Sequence, residues 1–428
     1  MMPEHVAASR EESGIQSSGG PAATGSGALP FRSVMVSGQV LTSRTETLED
    51  YLCPRVDHLL VVALGGAYHR GAPARCTEYR LGAKFREWRI PAPAVNRGSW
   101  WSPLGLVAVF SNYAWQILRG AWRGGRDFDL FVGISCFSGL IGVVLKSLGW
   151  TRRLIYYSID YYPLPSQRCF NRLMVRAFYA ADRLCSRRAD LVWHITARIS
   201  EAREQYGRLP PSKYRQVEVP LCYREGIFRV LSEEHVERWT LGFVGTITEN
   251  QGLDLLLDAM PEIARRCPGI SVRIIGDGPY GPEFRRRAAM SPEGRRLCFH
   301  GFLRREEDVL GWLGRCAAGV ALWPPDEGNN IRYADPGKPK LYLAVGLPCI
   351  ITRGAEIAEI IHREGAGVAI EYDVTDLVNA VMKVLGDDAA WLAFRQRAQA
   401  VGRRWTSEAI LGRGFAALTA FEQGGAGR

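Results

Sequence analysis

The sequence predicts an α/β protein with two Rossmann-like domains in tandem, on three observations. At 428 residues the chain is too long for one hydrophobic core, because single cores stop growing near about 250–300 residues. Short β-rich runs alternate with helical segments in both halves, which is typical of parallel sheets covered by helices. Glycine-rich turns follow some of the predicted strands, as in sheets that bind ligands where the strands end.

The composition limits the class of protein. Hydrophobic residues make up 47% of the chain and charged residues 23%, which excludes a disordered chain and a polytopic membrane protein. The ten cysteines include no Cys-x-x-Cys pair, so their spacing fits neither a disulfide framework nor a structural zinc site and favours a reducing, cytoplasmic compartment. Residues 1–30 are small and polar, and we expect a disordered tail there rather than a signal peptide.

The first domain is predicted over residues 31–228. Its candidate strands are β-rich runs at 33–37, 58–63, 130–134, 153–158 and 191–195. Helical stretches separate most of these runs, which predicts crossover connections and a parallel sheet. The segment 214–228 is predicted as a last strand followed by a loop that leaves the domain.

The second domain is predicted over residues 236–405, where the alternation begins again. Its candidate strands are at 240–245, 271–275, 296–300, 318–323, 347–352 and 367–372. Apolar residues at helical spacing over 253–264 predict the first helix of this domain. Two such sheets in tandem imply a cleft between the domains, which is a common place for a ligand.

Positive charge is concentrated in residues 70–126. This stretch holds ten Lys or Arg residues and two acidic ones, which is +8 of the chain's net +10, and five of its twelve tryptophans. Arginine, lysine and tryptophan together are typical of an interface with anionic lipid. A solvated basic face beside a buried aromatic helix is the alternative, and nucleic acid is disfavoured because no recognition motif accompanies the charge.

Residues 98–118 carry no charge, and a stretch of that length could in principle span a membrane. Serine, proline, asparagine and glutamine side chains interrupt its apolar surface. We therefore expect a monotopic or core helix rather than a transmembrane span.

An anion site is predicted where a helix begins near Gly337. Pro339 suits the first turn of a helix and Gly346 suits its end. The helix start leaves unbonded backbone N–H groups and a positive dipole end beside the Lys338 ammonium, which suits a diphosphate. Arg332 is close enough in sequence to add a second cation. The alternative is a proline-framed turn that simply opens a helix.

Two glycine loops follow predicted strands of the second domain. Gly276 and Gly278 come directly after the apolar run 272–275, and Gly245 ends the first strand. Glycines at the carboxyl end of a strand let a ligand approach the backbone. Asp-Gly and Gly-Pro are also ordinary turn pairs, so each loop alone has a second interpretation.

Residues 240–372 resemble the donor domain of GT-B glycosyltransferases, particularly the family-4-like group. The motifs that carry the resemblance are at 243–245, 251–259, 273–279, 299–303 and 336–348. The resemblance implies a domain that binds a nucleotide-activated sugar, without an obligatory metal or other cofactor. It also implies a C-terminal helix, residues 406–428, that returns to the first domain.

The chain departs from the family pattern at four positions. Many members have an Arg and a Lys where this chain has Thr246 and Gln251. The usual pair of glutamates would fall at Tyr333 and Leu341. Contacts to the ribose and sugar must then come from other side chains, for which Asp335 and Glu327 are candidates.

Lys338 falls on a lysine that is common in related subfamilies, including the membrane-associated glucuronosyltransferases of xanthan synthesis. The resemblance therefore makes Lys338 the principal donor contact. The full predicted donor site comprises Lys338, Arg332, Gly337, Asp335, Glu327, Gly245, Thr246, Gly276, Gly278 and Tyr342.

The first half resembles the acceptor domain of the same enzymes over residues 153–160. Asp160 follows a predicted strand, at the position where the xanthan enzymes carry a general base, and the resemblance implies that it accepts the acceptor's proton. A helix-capping or turn aspartate is the alternative. His69 and His194 are rival bases, although each also fits an ordinary loop or core histidine.

Asp127 and Asp129 form an Asp-x-Asp sequence, which holds a metal and nucleotide in another glycosyltransferase fold, GT-A. The pair directly precedes the strand at 130–134, and two tandem α/β halves are not that architecture. We interpret it as the entry to a strand and predict no metal site.

The sequence thus predicts a metal-independent hexosyl- or glycuronosyltransferase on the cytoplasmic side of the plasma membrane. It would act on a lipid-linked or saccharide acceptor in surface polysaccharide or glycolipid synthesis. The alternatives are a non-catalytic nucleotide-sugar-binding subunit and an epimerase-like enzyme of the same fold. The stereochemistry at the anomeric carbon stays open. The family resemblance implies retention, whereas Asp160 as a general base implies inversion.

Overall fold

The computed structural model describes residues 29–39, 43–65, 73–91, 103–161, 169–325 and 330–425. Two sheets organise these residues, one built from the first half of the chain and one from the second. Each sheet is mainly or wholly parallel and has helices packed on it, as the alternation of strands and helices predicts.

The first sheet has eight strands in the described ranges. They are β1 (Ser33–Gln39), β2 (His58–Leu64), β3 (Ala74–Arg80), β4 (Ala83–Ile90), β5 (Phe128–Ile134), β6 (Thr151–Ser158), β7 (Leu191–His194) and β8 (Gln216–Glu218). Their spatial order is β4-β3-β2-β1-β5-β6-β7-β8. The helices of this half are α1 (Ser43–Leu52), α2 (Pro103–Gly124), α3 (Ser135–Ser147), α4 (Cys169–Arg188) and α5 (Ala197–Gln205).

The antiparallel hairpin of β3 and β4 is a feature that the sequence analysis missed. β3 pairs with β2 and β4 with β3, both antiparallel, so β4 forms an edge of the sheet. Most side chains of β4 are exposed and several are charged, which protects an edge strand from pairing but removes the apolar alternation that marks a strand.

The second sheet is wholly parallel in the described residues. Its strands are β9 (Glu237–Val244), β10 (Ser271–Ile275), β11 (Leu297–Gly301), β12 (Cys316–Ala321), β13 (Cys349–Thr352) and β14 (Gly367–Ile370). Their order is β11-β10-β9-β12-β13-β14. The helices are α6 (Leu253–Arg266), α7 (Gly281–Met290), α8 (Glu306–Gly314), α9 (Gly337–Ala344), α10 (Glu356–Arg363), α11 (Val374–Leu385) and α12 (Asp388–Gly402).

The last helix, α13 (Ser407–Gly425), packs on the first half of the chain. The Phe415 ring stacks on Tyr51 of α1 at a centroid distance of 5.8 Å and meets Trp193 of β7 edge-on at 4.9 Å. Arg55 Nη2 is 2.6 Å from Glu408 Oε2. The chain therefore crosses between the two halves twice.

A buried ion pair fixes β6 against the helices beside it. Arg203 of α5 donates from Nε to Asp182 of α4 at 2.8 Å, and both side chains are inaccessible to solvent. The Tyr156 hydroxyl, on β6, donates to the same carboxylate at 2.9 Å. Because unpairing a buried charge is costly, this cluster sets the position of the strand that leads to Asp160.

Helix α2 has one buried and one exposed face. Val109, Ile117 and Ala121 are buried, whereas Val107, Trp115 and Trp122 are more than half or about half exposed. Among the helices that the structure describes, none combines the length and the hydrophobicity that crossing a membrane requires.

Candidate functional site

The loops at the carboxyl ends of the parallel strands in the two halves contact each other, and we call the space that these loops border the cleft. Thr196, which follows β7, donates a hydrogen bond to Glu356 at the start of α10. Arg198 donates to the carbonyl of Gly354, in the turn after β13. The loops that follow strands in both halves therefore meet at this cleft, where ligands of open parallel sheets bind.

Lys338 lies in the first turn of α9 and reaches the loop after β9. Its Nζ donates to Gln251 Oε1 and is 4.2 Å from the ring centroid of Phe243 and 5.4 Å from that of Trp323. No carboxylate of the described residues forms an ion pair with it. Burial lowers the pKa of the Lys338 ammonium to about 7. A desolvated cation without a counter-ion is poised to bind an anion.

Gly245 lies against that ammonium, and Gly276 lies against Gly245. Both have positive φ, +145° and +130°, which disfavours any side chain. A Cβ at Gly245 would lie 3.3 Å from Lys338 Nζ, and one at Gly276 would lie 2.0 Å from the carbonyl oxygen of Gly245. Bare backbone is thus required at Gly245, beside Lys338, and at Gly276, beside Gly245, whereas the approach of a ligand to these glycines stays a prediction.

Of the other predicted donor residues, Thr246, Gly278 and Arg332 lie in loops or turns of the second half. Thr246 and Gly278 lie in the same loops, where Thr246 is exposed and a Cβ at Gly278 would be 2.3 Å from the carbonyl oxygen of Ile247. Arg332 is exposed in a short 3-10 turn, with its guanidinium 5.9 Å from the Tyr333 ring centroid. Glu327 lies outside the described residues.

Asp335 has a structural position that the sequence prediction did not foresee. Its carboxylate is 2.6 Å from Lys340 Nζ and also accepts the backbone N–H of Leu221. Lys340 Nζ in turn donates to the Leu221 carbonyl at 2.9 Å. Asp335 is buried and bonded to Lys340 and Leu221. We therefore correct its assignment from a sugar or ribose contact to a clamp on the crossover, which is the segment between β8 and β9 that contains Leu221.

Gly337 and Tyr342 also serve the structure around the site. The Gly337 carbonyl accepts from the Tyr223 hydroxyl at 3.1 Å, and a Cβ there would lie 2.7 Å from Leu221 Cδ2. Tyr342 is fully buried, and its hydroxyl donates to the Val320 carbonyl at 3.0 Å. Tyr342 therefore packs inside the second half, which corrects the prediction that it contacts the donor.

Asp160 is exposed two residues beyond the end of β6, on the cleft side of the first sheet. Of its two rivals, His194 is buried at the end of β7, and burial together with Arg203 lowers its pKa to about 3. A histidine with that pKa is a poor base at neutral pH. His69 lies outside the described residues.

The Asp-x-Asp sequence has a structural role at the amino end of the first sheet. Asp129 Oδ2 accepts the backbone N–H groups of Arg32 and Ser33, at 2.8 and 3.1 Å, where β1 begins. Asp129 also pairs with Arg152 at 3.0 Å. Among the described residues, no group of three or more His, Cys, Asp or Glu side chains is placed to hold a metal ion.

Three residues around Lys338 were not predicted as part of the site: Phe243, Gln251 and Trp323. Phe243 and Trp323 frame the ammonium with aromatic rings, and Gln251 accepts its hydrogen bond. Gln251 was noted as the start of a family motif and as a departure from the family pattern, but not as a site residue. Phe243 begins the motif at 243–245, but it and Trp323 both lie within predicted strands, where an aromatic residue is equally typical of the core.

Comparison with known proteins finds similarity to one family within the second half of the chain. Residues 238–387 match the family model of "Glycosyl transferases group 1". Over 187 residues the chain is 28% identical to a GDP-mannose-dependent alpha-(1-6)-phosphatidylinositol monomannoside mannosyltransferase of Mycolicibacterium smegmatis. That match covers 40% of this chain and 45% of the relative, so the chain spans about half the length of the curated relative it matches.

Solved structures share the fold over nearly the whole chain. The Anabaena protein HepE in complex with UDP and glucose has a TM-score of 0.62 at 16% identity, covering 91% of this chain and 99% of that one. Sucrose-phosphate synthase of Thermosynechococcus elongatus has a TM-score of 0.61 at 16% identity, covering 93% and 100%. A trehalose-phosphate synthase of Burkholderia xenovorans has a TM-score of 0.63 at 11% identity, covering 90% and 98%.

The buried ion pair of Asp335 and Lys340 predicts how substitutions of these two residues change the free energy of unfolding. Lys340→Met leaves the Asp335 carboxylate buried and unpaired, so we expect a loss of about 3–5 kcal/mol in the free energy of unfolding. Asp335→Leu combined with Lys340→Met removes both charges and should recover most of that loss. Thermal and urea unfolding measure both effects.

Glu359→Ala is the matched control, because it breaks a more exposed pair with Arg353 and should cost at most about 1 kcal/mol. If Lys340→Met were as mild as this control, the ion pair would not clamp the crossover.

Proposed function

Because the chain carries a group 1 glycosyltransferase domain on a GT-B fold, we propose that it transfers a sugar from a nucleoside-diphosphate sugar to an acceptor hydroxyl. The observation that carries the proposal is the desolvated Lys338 ammonium, which lacks a carboxylate partner among the described residues. Bare glycine backbone lies beside it, so a diphosphate can approach the ammonium closely.

The step is a substitution at the anomeric carbon of the donor sugar. The acceptor oxygen forms a bond to that carbon, and the bond from the carbon to the diphosphate oxygen breaks. The nucleoside diphosphate leaves with the electron pair, and Lys338 stabilises its negative charge. The proton of the acceptor hydroxyl goes to Asp160 if the enzyme inverts, or to the departing diphosphate if it retains.

One cation then performs a task that related enzymes give to two. Thr246 and Gln251 stand where an Arg and a Lys are expected from the family resemblance, and Gln251 bonds Lys338 instead of a ligand. We infer that Lys338 changes its partner from Gln251 to the diphosphate when the donor binds. The aromatic rings of Phe243 and Trp323 lie 4.2 and 5.4 Å from the ammonium and lower the polarity around it, which strengthens its interaction with an anion.

The same departures favour a second candidate, a non-catalytic subunit that binds a nucleotide sugar. With Thr246 and Gln251 uncharged, the donor site has fewer cations to stabilise a leaving diphosphate. Such a subunit would bind the donor through Lys338 and show no turnover. An assay of sugar transfer distinguishes the two candidates.

We also propose that the first half docks on an anionic membrane surface through α2 and the β3–β4 hairpin. On α2, Arg119 lies between two exposed tryptophans, 5.6 Å from the Trp115 centroid and 5.2 Å from that of Trp122. At the hairpin, Leu81 and Phe85 are exposed. Indole rings beside arginine suit the headgroup region of a bilayer.

The hairpin and α2 form one surface. Arg86 of β4 donates from Nη2 to the Arg123 carbonyl near the end of α2, at 2.5 Å. Arg80 lies over the Phe85 ring at 4.1 Å, so basic and apolar groups are mixed there as they are on α2. Arg70, Arg97 and two tryptophans of the same stretch lie outside the described residues. A cytoplasmic membrane face and a lipid-linked acceptor accord with this surface.

Donor binding should depend on Lys338. Lys338→Ala is expected to weaken the binding of UDP-glucose or GDP-mannose by at least about tenfold, because it removes a charge-assisted hydrogen bond to the diphosphate. Isothermal titration of the full chain measures it, with Lys383→Ala on the exposed face of α11 as the control. Saturable binding that is unchanged in Lys338→Ala would place the donor elsewhere, and no binding of either nucleotide sugar would refute the proposal.

The binding should also depend on pH. The pKa of Lys338 is about 7 in the protein without ligand, and a diphosphate beside it favours the charged form. Affinity is therefore expected to fall as pH rises above about 7, and binding at about pH 8 should take up a proton. Titrations in buffers of different ionisation enthalpy measure the uptake, which should be absent from Lys338→Ala. Proton release would contradict the assignment.

If Asp160 is the general base, Asp160→Asn should lower sugar transfer by at least about 100-fold and leave donor binding unchanged. Incorporation of labelled sugar into a lipid or saccharide fraction measures transfer. Asp57→Asn, on an exposed residue at the opposite edge of the same sheet, is the control. Full activity of Asp160→Asn would exclude Asp160 as the base.

Membrane docking should depend on the exposed indoles. Trp115→Ala with Trp122→Ala is expected to weaken binding to vesicles of phosphatidylcholine and phosphatidylglycerol by about tenfold, because the apolar contact is lost. Co-sedimentation measures it, salt should weaken it, and Trp239→Ala in the second half is the control. Equal binding to pure phosphatidylcholine vesicles would contradict the electrostatic part.

A further inference from the structure

The first turn of α3 lies where β5 ends, at the edge of the first sheet that faces the cleft. Ser135 has a positive φ of +77°, so the chain turns sharply from strand to helix. Ile134 occupies the N-cap position and has no side-chain acceptor for the N–H groups that follow. The backbone N–H groups of the first turn therefore need another partner.

Ser158, the last residue of β6, places a hydroxyl beside this turn. Ile134 of β5 is in register with Tyr157 of β6, so Ser158 comes level with the start of α3. Alternation along the strand puts Ser158 on the same face as Tyr156. The Tyr156 ring packs against α3, where a Cβ at Gly139 would lie 2.7 Å from it. The Ser158 side chain therefore points to the side of the sheet on which α3 packs.

Within the described residues the Ser158 hydroxyl is buried and has no hydrogen-bond partner. Ser158 is 1% exposed, and nothing in that part of the chain donates to or accepts from its Oγ. His194 of β7 pairs in register with Ser158, is 5% exposed, and has an Nδ1 that likewise lacks a partner. Leaving such groups unpaired costs free energy, so two neighbouring ones point to a ligand.

We propose that the first turn of α3, Ser158 and His194 bind a phosphate group of the acceptor. The proposal rests on the proposed function, since it names the chemical class of the substrate that accepts the sugar. Backbone N–H groups, a hydroxyl and an imidazole N–H are all donors, and the helix dipole adds positive potential. An anion with several oxygens satisfies such a set.

The position of this subsite agrees with the rest of the molecule. Asp160 follows Ser158 by two residues, so an acceptor anchored here would present a hydroxyl near the candidate base. The Phe137 ring of α3 contacts Phe110 and Tyr113 of α2 at centroid distances of 6.0 and 5.9 Å. The first turn of α3 therefore adjoins α2, the helix through which we propose that the protein docks on a membrane.

The test uses glycerol 3-phosphate as the probe and the full chain in four forms. Phosphorus NMR line broadening measures its binding to the wild type, Lys338→Ala, Ser158→Ala and Ser147→Ala. We expect equal binding to the wild type and Lys338→Ala, and binding about tenfold weaker to Ser158→Ala. Ser147→Ala, at the exposed end of α3, is the control and should bind like the wild type.

A stability measurement guards against a purely structural role. Ser158→Ala removes a hydroxyl that lacks a partner, so without ligand it should unfold at the same or a higher temperature than the wild type. Lower stability together with weaker binding would indicate that Ser158 supports the fold, and the proposal would be wrong.

Other outcomes separate the possibilities. Loss of binding in Lys338→Ala would show that the probe occupies the donor site. Equal binding to Ser158→Ala and the wild type would show that Ser158 does not bind the phosphate. Either result overturns the proposal. Phosphate binding that persists while nucleotide sugars fail to bind would refute the proposed function alone. Displacement of the probe by phosphatidylglycerol vesicles, but not by phosphatidylcholine vesicles, would identify a lipid phosphate; no displacement would identify a soluble phosphorylated acceptor.

Discussion

A lysine ammonium removed from water without an opposite charge is the interaction on which the site depends. Lys338 is held against Phe243 and Trp323, with one amide oxygen, that of Gln251, as its hydrogen-bond acceptor. Burial of this kind destabilises the charged form, and the lowered pKa of Lys338 expresses that cost. An anion that binds beside the ammonium removes this cost. The free energy gained in this way contributes to the affinity for the ligand.

The position of that ammonium depends in turn on the crossover between the two halves. Lys338 shares the first turn of α9 with Lys340, which forms the buried pair with Asp335 and bonds Leu221 on the crossover. The two lysines are two residues apart and point in different directions, one to the cleft and one to the crossover. A change in the relative orientation of the halves would therefore move the donor site, because the lysine at the donor site and the lysine at the crossover lie on the same helical turn.

Sequence reasoning predicted the fold, and it named Lys338 and Gly245, which the structure places side by side. The two parallel-sheet domains are confirmed, and residues 238–387 match the group 1 family model, because strand and helix periodicity and ordered motifs are properties of local sequence. The resemblance to the xanthan enzymes stays a prediction, as do the roles of Lys338 and Asp160. Tyr342 was misassigned because linear spacing does not show which side of a helix faces a ligand. Asp335, in the loop before α9, was misassigned because its partner Leu221 is 114 residues away in sequence. The β3–β4 hairpin was missed because an exposed edge strand lacks apolar alternation.

The most direct measurement of the central claim is a crystal structure of the full chain with a nucleoside diphosphate bound. The account predicts that a diphosphate oxygen lies within hydrogen-bond distance of Lys338 Nζ, beside the bare backbone of Gly245, and that the bond from Lys338 to Gln251 is broken. A nucleotide bound elsewhere, with Lys338 still bonded to Gln251, would contradict the account.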